Sequence, residues 1–446
     1  MTMKAASFEL LEFLLSPSRH KYHVINLSGS PAEAVTKASY PAKRIITPTI
    51  LTRKTPEELE EFVHRAGEKD ILQQTSLGKL IRRHGIQAIC PDTYSTPFLE
   101  RWAKRNKIQV ICTPYRFQKK YENKIFFDRF LRRLKLPVPP GRILRSVYDA
   151  YRVNSFPVVL QTPVSAGSIG TFVVRDWEEL LRLTSVEKRV DFPLLCREFI
   201  SDAHPLGVSI LIGPKKMAFS ALRMQAYFTQ AGGKSTYYGI QWIKTSSIKP
   251  KTIRKLNTAL YKAGKAMQKD GYRGIAAFDV MVRDNDIFFI ECNPRTGGSS
   301  PHLANRPELL HGLSFTDEYV RILTGDELSA DKPFIPNSDY EGFTLDLSFL
   351  SDLLPIGLPL NHLCYGVYRY QNGQLHYHSA KADDFNESGN VFVHFVRPEG
   401  ALLNPHIFTG FVFTHFPLLK IHGMEYTFIK EAQKLLHHLE DIVIKK

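Results

Sequence analysis

The sequence predicts a multidomain chain of α/β and α+β class. Three observations carry that expectation. Residues 18–115 alternate short apolar runs with amphipathic helical patterns, the mark of an N-terminal α/β layer with a largely parallel sheet. Residues 116–330 hold two β-like runs that face each other across an acidic turn. Beyond 330 the pattern turns to strand-like stretches after Pro/Gly turns, a β-rich C-terminal extension. At ~150 residues per domain, 446 residues allow roughly three domains, divided here as 1–115, 116–330 and 331–446.

Composition agrees. Hydrophobic residues are 43% and charged residues 23%, enough for a sizeable core, which excludes wholesale disorder. No run approaches the ~18 apolar residues of a membrane helix. Met1 to Pro17 carries Glu9 and Glu12 in its apolar stretch, so no secretory leader and a cytoplasmic location are expected. Five scattered cysteines, Cys90, Cys112, Cys196, Cys292 and Cys364, form no CxxC pair, which argues against a disulfide framework or structural zinc. The formal charge of +15 points to polyanionic partners such as nucleotide phosphates. Its denser patches, 101–107, 116–135 and 244–255, individually read as solvated helix faces. No RRM, KH or zinc-finger pattern marks a nucleic-acid binder.

In chain order, Tyr22–Leu27, Ile86–Cys90 and Ile108–Cys112 read as strands, with helices over Pro56–Ala66, Thr75–His84 and Thr96–Lys104. The Asn26-Leu-Ser-Gly-Ser-Pro segment lacks the spacing of a phosphate loop and reads as a plain strand-to-helix turn. Tyr121–Leu134 reads as one helix with Phe126, Phe127, Phe130, Leu131 and Leu134 on one face, ended at Pro137-Val-Pro-Pro-Gly. Pro157–Gln161, Thr171–Val174, Leu194–Ile200, Val208–Ile212 and Lys216–Met224 read as strands, and Pro250–Gln268 as a helix. Leu363–Tyr370, Gln374–Ser379 and Val391–Val396 read as strands and Tyr426–Leu439 as a closing helix.

The strongest chemical signal lies at Ile275–Arg283 and Ile287–Cys292, which flank the turn residues Asp284-Asn285-Asp286. A hairpin centred on Asn285 sets Asp279 opposite Glu291, with Asn293 following on the same side. Phe278, Val280 and Ile290 are expected on the other face, and Ile275, Ala277 and Phe289 beside the acids. Opposed like charges in a sheet destabilise it, and two covered carboxylates without a cation are costly. An all-oxygen set of this kind suits Mg²⁺, which takes one or two carboxylates plus substrate phosphates. Arg295 follows, placed to hold a phosphate or carboxylate oxygen bidentately. Thr296-Gly-Gly-Ser-Ser-Pro-His302 allows close backbone approach to an anion, while His302 itself reads as structural.

Between Gln161 and Thr171 runs a loop whose Ser165, Gly167, Ser168 and Gly170 offer unobstructed N–H groups and hydroxyls, able to fold over phosphates. Lys124 stands at a helix start before it.

Together, NKIFFDRFLRRLKLPVPPG, FPVVLQTPVSAGSIGTFVV, LLCREFISD and GYRGIAAFDVMVRDNDIFFIECNPRTGG, in that order, resemble the ATP-grasp superfamily over roughly 85–310. The resemblance implies a two-lobed ATP-binding domain over 116–330, preceded by the α/β domain such enzymes carry. It implies that Lys124 holds the α- and β-phosphates of ATP, that 165–170 is the lid, and that Glu198, Phe199 and Ile200 form the hinge receiving adenine. Asp279, Glu291 and Asn293 would coordinate Mg²⁺ (or Mn²⁺), and Arg295 would steady the transferred phosphoryl group. The family's second lysine falls at Gln161, where Gln161→Lys is expected to be tolerated and to tighten ATP binding. The usual ribose-contacting acid falls near His204, with Asp202 as a substitute.

The chemistry so implied is ADP-forming ligation through an acyl phosphate, with small carboxylate and amine substrates, amino acids among them. Size and the C-terminal extension resemble peptide-forming L-amino-acid ligases; a homodimer fits that type, and neither membrane nor nucleic acid is an expected partner. Arg223, Lys234 and Lys244 are candidates for holding the carboxylate. The alternatives are a biotin-carboxylase-like or purine-biosynthesis enzyme, and an ATP-binding module without turnover.

Overall fold

The structure is a computed structural model that describes residues 3–7, 22–26, 88–90, 95, 97–164, 170–186, 191–229, 235–350, 366–379, 384–385, 389–395, 410–422 and 425–444. The helices expected at Pro56–Ala66 and Thr75–His84 lie outside these residues, as do Ser165, Gly167, Ser168 and Lys234.

The N-terminal layer is a four-stranded sheet of β1 (Met3–Ser7), β2 (Tyr22–Asn26), β3 (Ala88–Cys90) and, after helix α1 (Pro97–Arg105), β4 (Gln109–Val110). Its order is β2-β1-β3-β4 and every pairing is parallel, as the alternation predicts.

Two helices follow, α2 (Tyr115–Glu122) and α3 (Lys124–Arg133). The single helix expected over Tyr121–Leu134 is therefore broken at Asn123. The Asn123 carboxamide accepts from the Phe126 N–H at 2.9 Å and caps α3. The break puts Lys124 on the first turn, with Phe127, Phe130 and Leu131 buried beneath it.

A second, antiparallel sheet holds the strands that flank the expected lid loop and is termed the lid lobe. It contains β5 (Gly141–Leu144), then after α4 (Val147–Ala150) the strands β6 (Val158–Gln161) and β7 (Thr171–Val174), and after α5 (Trp177–Leu181) the strand β8 (Leu194–Glu198), in the order β5-β8-β6-β7.

The main sheet begins with β9 (His204–Ile212), β10 (Met217–Phe219), β11 (Arg223–Thr229) and β12 (Ser235–Trp242). The strand expected over Lys216–Met224 is thus two strands, β10 and the start of β11. Helix α6 (Pro250–Lys269) buries Leu256, Leu260, Ala263 and Met267, whose 4-3-4 spacing is one helical stripe. The acidic hairpin is β13 (Gly274–Arg283) and β14 (Asp286–Asn293). Helices α7 (Ser300–Asn305) and α8 (Phe315–Leu323) lead to β15 (Phe343–Asp346).

The C-terminal strands β16 (Gly366–Gln371), β17 (Gln374–Ser379), β18 (Asn390–Phe395) and β19 (Gly410–Thr414) continue the same sheet. Its order is β14-β13-β9-β11-β12-β15-β19-β18-β16-β17, with β10 on β9. A small ribbon of β20 (Leu419–His422) and β21 (Glu425–Phe428) precedes α9 (Lys430–Ile444). The closing helix expected from Tyr426 starts four residues later because Glu425–Phe428 pairs as a strand, stacking Phe428 on Phe228 at 4.5 Å. One apolar core runs from Phe127 through Phe278, Phe289 and Leu260 to Val391, Val412 and Leu435.

Candidate active site

The hairpin sets the site. Its ladder pairs Arg283 with Asp286, Val282 with Ile287, Met281 with Phe288 and Val280 with Phe289. The turn is therefore two residues, Asp284-Asn285, with Asp284 in the left-handed region at φ 55°. A uniform ladder from that turn would pair Asp279 with Ile290 and send Glu291 to the face of Phe278. Instead the register shifts between Asp279 and Val280, so Ile290 is bulged out and Asp279 pairs with Glu291. The expected opposition of the two acids is met, by a shorter turn and a compensating bulge. The bulge also moves Phe289 away from the acids: its ring packs on Phe278 at 6.1 Å, on the apolar face.

Asp279 is nearly buried, while the Glu291 side chain is 25% exposed and opens the pair to solvent. Asn293 bridges them, its amide donating to Asp279 Oδ2 at 3.0 Å and Glu291 Oε1 at 3.5 Å. Burial and the charge of Glu291 push Asp279 up to about 7, against the pull of Arg223 and Arg295. Burial also works to raise Glu291, but the Lys124 ammonium and the Asn293 amide outweigh it and hold that carboxyl below its ordinary value.

Two buried cations meet the pair. Lys124 is 3% exposed and its Nζ stands 3.1 Å from Glu291 Oε2. Its position is set by the Asn123 cap and by a bond from its own N–H to the Pro163 carbonyl at 2.8 Å. Arg223 Nη2 stands 3.7 Å from Asp279 Oδ1, and its Nη1 donates to Ser209 Oγ at 3.0 Å. Asp279, Gly207 and Arg223 lie in one row across β13, β9 and β11. A Cβ on Gly207 would come within 2.8 Å of Arg223 Cζ, so any larger residue there would push the guanidinium aside from its path to the acid. Arg223, anticipated as a substrate-holding residue, is thus built into the acid pair.

Arg295 joins the group through Asn293, donating to its Oδ1 at 3.2 Å, and its Nε donates to Glu122 Oε1 at 3.0 Å. Glu122, at the end of α2 and buried, escaped the sequence reading; nothing local in YENK distinguishes it from an exposed helix-end acid. Arg197 escaped it too. This β8 residue is 3% exposed and donates to Gln161 Oε1 and to the Ile290 carbonyl. Gln161 therefore closes β6 as the acceptor of a buried guanidinium, which reverses the expectation that lysine would be welcome there.

Of the lid, Gly170 is described. It has φ +72°, its carbonyl accepts from the Thr162 N–H at 2.9 Å, and an added Cβ would strike Thr162 Oγ1. In the hinge segment, Ile200 is buried, whereas Glu198 and Phe199 are exposed and fixed by main-chain bonds to Pro140 and Pro157. Asp202 is exposed in the left-handed region at φ 51°, beside half-buried His204. Lys244 points elsewhere: it pairs with Glu341 at 3.0 Å on the surface. His302 is fully buried, bonded to the Tyr340 hydroxyl at 2.9 Å and the Phe343 carbonyl at 3.2 Å, and Tyr340 in turn meets His415 Nδ1 at 2.8 Å. Burial, then His415, keeps its pKa well below the ordinary value, which fits the structural role expected of it.

Among the described residues no group of three or more His, Cys, Asp or Glu could hold a metal. The oxygens facing each other here are those of two carboxylates, with the Asn293 amide nitrogen between them and its oxygen turned to Arg295; so small a set suits a cation that also takes phosphate oxygens rather than a self-contained metal cage. Cys112, Cys196 and Cys292 are buried thiols in no disulfide. No helix among the described residues is long and apolar enough to cross a membrane.

The carbamoyl phosphate synthase large chain of Thermotoga petrophila is 22% identical over 267 residues, which is 58% of this chain and 23% of the relative. The chain thus spans under a quarter of that protein's length. Among solved structures, the biotin carboxylase domain of Hydrogenobacter thermophilus 2-oxoglutarate carboxylase, in complex with MgADP, ADP and bicarbonate, superposes with a TM-score of 0.62 at 14% identity, covering 94% of this chain and 87% of that one. The N5-carboxyaminoimidazole synthase of Aspergillus clavatus gives 0.58 at 14% identity, covering 98% and 99%. Residues 121–299 match the ATP-grasp domain family model, and this segment holds the acid pair and its cations.

Proposed function

We propose that the chain is an ATP-dependent carboxylate–amine ligase that activates a carboxylate as an acyl phosphate and releases ADP and phosphate. The observation that carries this reading is Asp279 set opposite Glu291 across a bulge, with Asn293 between them and Lys124, Arg223 and Arg295 around them. Asp279 is under-compensated enough to sit at about 7, and a divalent cation would hold it ionised. Mg²⁺, when bound, would neutralise phosphate oxygens and draw charge from the γ-phosphoryl group.

The residues of the chain then do the following. Asp279 and Glu291 would hold the cation, joined by the Asn293 carboxamide oxygen once that amide turns from Arg295 toward the acids. Lys124, relieved of Glu291, holds the α- and β-phosphates from the α3 end. Arg295, kept in place by Glu122, faces the acceptor and steadies the phosphoryl group as it passes to the carboxylate oxygen. By resemblance, 165–170 would be the lid over the phosphates, and 198–200 with Gln161 would border the base. An amine then attacks the acyl carbon, and phosphate leaves. Amino acids as both substrates, giving a peptide bond, are the finer form of the proposal, and a homodimer its expected assembly. A second reading has bicarbonate as the carboxylate; the names of the relatives, a carbamoyl phosphate synthase and a biotin carboxylase domain, favour it. ATP consumption that requires bicarbonate alone separates the two.

The test is calorimetric titration of ADP with and without Mg²⁺. The unsubstituted protein should bind ADP more tightly with Mg²⁺. Glu291→Gln, expected to stay folded, should lose that gain. A Glu291→Gln protein with the full Mg²⁺ gain would remove the acid pair from the proposal.

A further inference from the structure

Arg197 has no part in the roles above, yet it is the most buried cation among the described residues of the lid lobe. It projects from β8 across to β14, an edge strand of the main sheet. Nη1 and Nη2 both donate to the Ile290 carbonyl at 3.1 Å, and Nη1 also approaches the Phe289 carbonyl at 3.5 Å. Nη2 donates in addition to Gln161 Oε1. Among the described residues no carboxylate lies within ion-pair distance of it, so carbonyls and an amide alone satisfy a guanidinium that is 3% exposed. Burial lowers its pKa to about 10, and the fields of Asp128 and Glu291 oppose that fall. It stays charged at neutral pH.

What it grips is specific. Ile290 is the one residue the β13–β14 ladder skips. Because side chains alternate faces along a strand, losing that bulge would slip the register by one and turn Glu291 into the apolar face beside Phe278. The other arm of Arg197 holds Gln161, the last residue before the segment that leads to the lid. One side chain thus touches the strand end that borders the nucleotide and the bulge that aligns the two acids.

We propose that Arg197 is a positioning residue that couples nucleotide binding at the lid strand to cation binding at the Asp279–Glu291 pair. This rests on the reading of the pair as a Mg²⁺–nucleotide site. Gln161 already holds the guanidinium and the guanidinium holds Ile290, with Glu291 opposite Asp279; nucleotide seated at the end of β6 would tighten this chain of contacts. The coupling is reciprocal, as linkage requires.

The experiment is a titration of ADP into the full chain with Mg²⁺ and with EDTA, for the unsubstituted protein, Arg197→Met and Arg197→Lys. The ratio of the two dissociation constants is the readout. In Arg197→Met the ratio should fall by roughly tenfold, with a smaller change in the metal-free constant. Arg197→Lys, which keeps the charge and can reach one carbonyl, should recover part of the ratio, and it serves as the variant if the methionine protein does not fold. An unchanged ratio in both variants, or equal loss of both constants, would overturn the coupling and leave Arg197 as packing. No Mg²⁺ effect in the unsubstituted protein would overturn the nucleotide reading and the coupling with it.

Discussion

Replacing Gln161 with lysine puts the electrostatics of the lid strand to a direct test. Gln161 is 4% exposed, and its Oε1 accepts from a guanidinium that is 3% exposed. Lysine removes the acceptor and brings a second cation beside the first. At ~4 Å and an effective dielectric of ~20, two like charges repel by about 4 kcal/mol. The lost hydrogen bond to a charged group adds roughly 1.5–3 kcal/mol. The longer lysine stem lets the ammonium swing toward the lid and relieves part of this, so a net loss of about 3 kcal/mol is expected. Urea unfolding followed by tryptophan fluorescence reads it, because Trp177 packs in the lid lobe against Tyr151 and Phe156. ADP affinity should fall in parallel. Gln161→Lys combined with Arg197→Gln leaves one cation between β6 and β8 and should regain most of the stability, a coupling a double-mutant cycle isolates. If Gln161→Lys alone is as stable as the unsubstituted protein and binds ADP more tightly, the guanidinium is not where this argument puts it.

Other consequences follow from the same contacts. Gly207→Ala would drive a Cβ within 2.8 Å of Arg223 Cζ; displacing the guanidinium from Asp279 should cost about 1–3 kcal/mol in urea unfolding, and unchanged stability would show that Arg223 has room to move. Burial holds His394 down to about 4, and burial with the nearby Arg306 charge does the same for His415. The unfolded chain takes up these protons near 6.5 and the folded chain only near 4, so the stability is complete above pH 6.5 and lost as pH falls toward 4. At pH 5 each histidine should cost about 2 kcal/mol; His394→Phe should flatten that slope, and an equally steep profile in the variant would exclude His394 as its source.

The acid pair was legible because a strand's two-residue period and a short acidic turn leave few registers. The centre assigned to Asn285 led to the correct partner, although the turn is shorter than expected and Ile290 makes up the difference. A bulge leaves no mark in residue types, which is why Phe289 was expected on the wrong face. The Asn123 break was hidden by apolar spacing that runs on through both helices, although asparagine before Lys124 was a capping signal in plain view. Arg197 and Glu122 could not be singled out, because burial of a charge depends on what the fold brings against it. Strand β21 was taken into the closing helix because Glu425–Phe428 gains its partner only from β20. The lid residues 165–169 remain an expectation from sequence.

The proposed function requires that a carboxylate be activated by attack on the γ-phosphate at the Asp279–Glu291 pair. The most direct measurement is the identity of the nucleotide product when the purified chain is given ATP, Mg²⁺, a panel of carboxylates that includes amino acids and bicarbonate, and hydroxylamine as the trapping amine. The expected product is ADP, formed one for one with hydroxamate where the acid is a stable carboxylate, and abolished by Glu291→Gln. AMP with pyrophosphate as the products would contradict it, since that outcome places the attack on the α-phosphate.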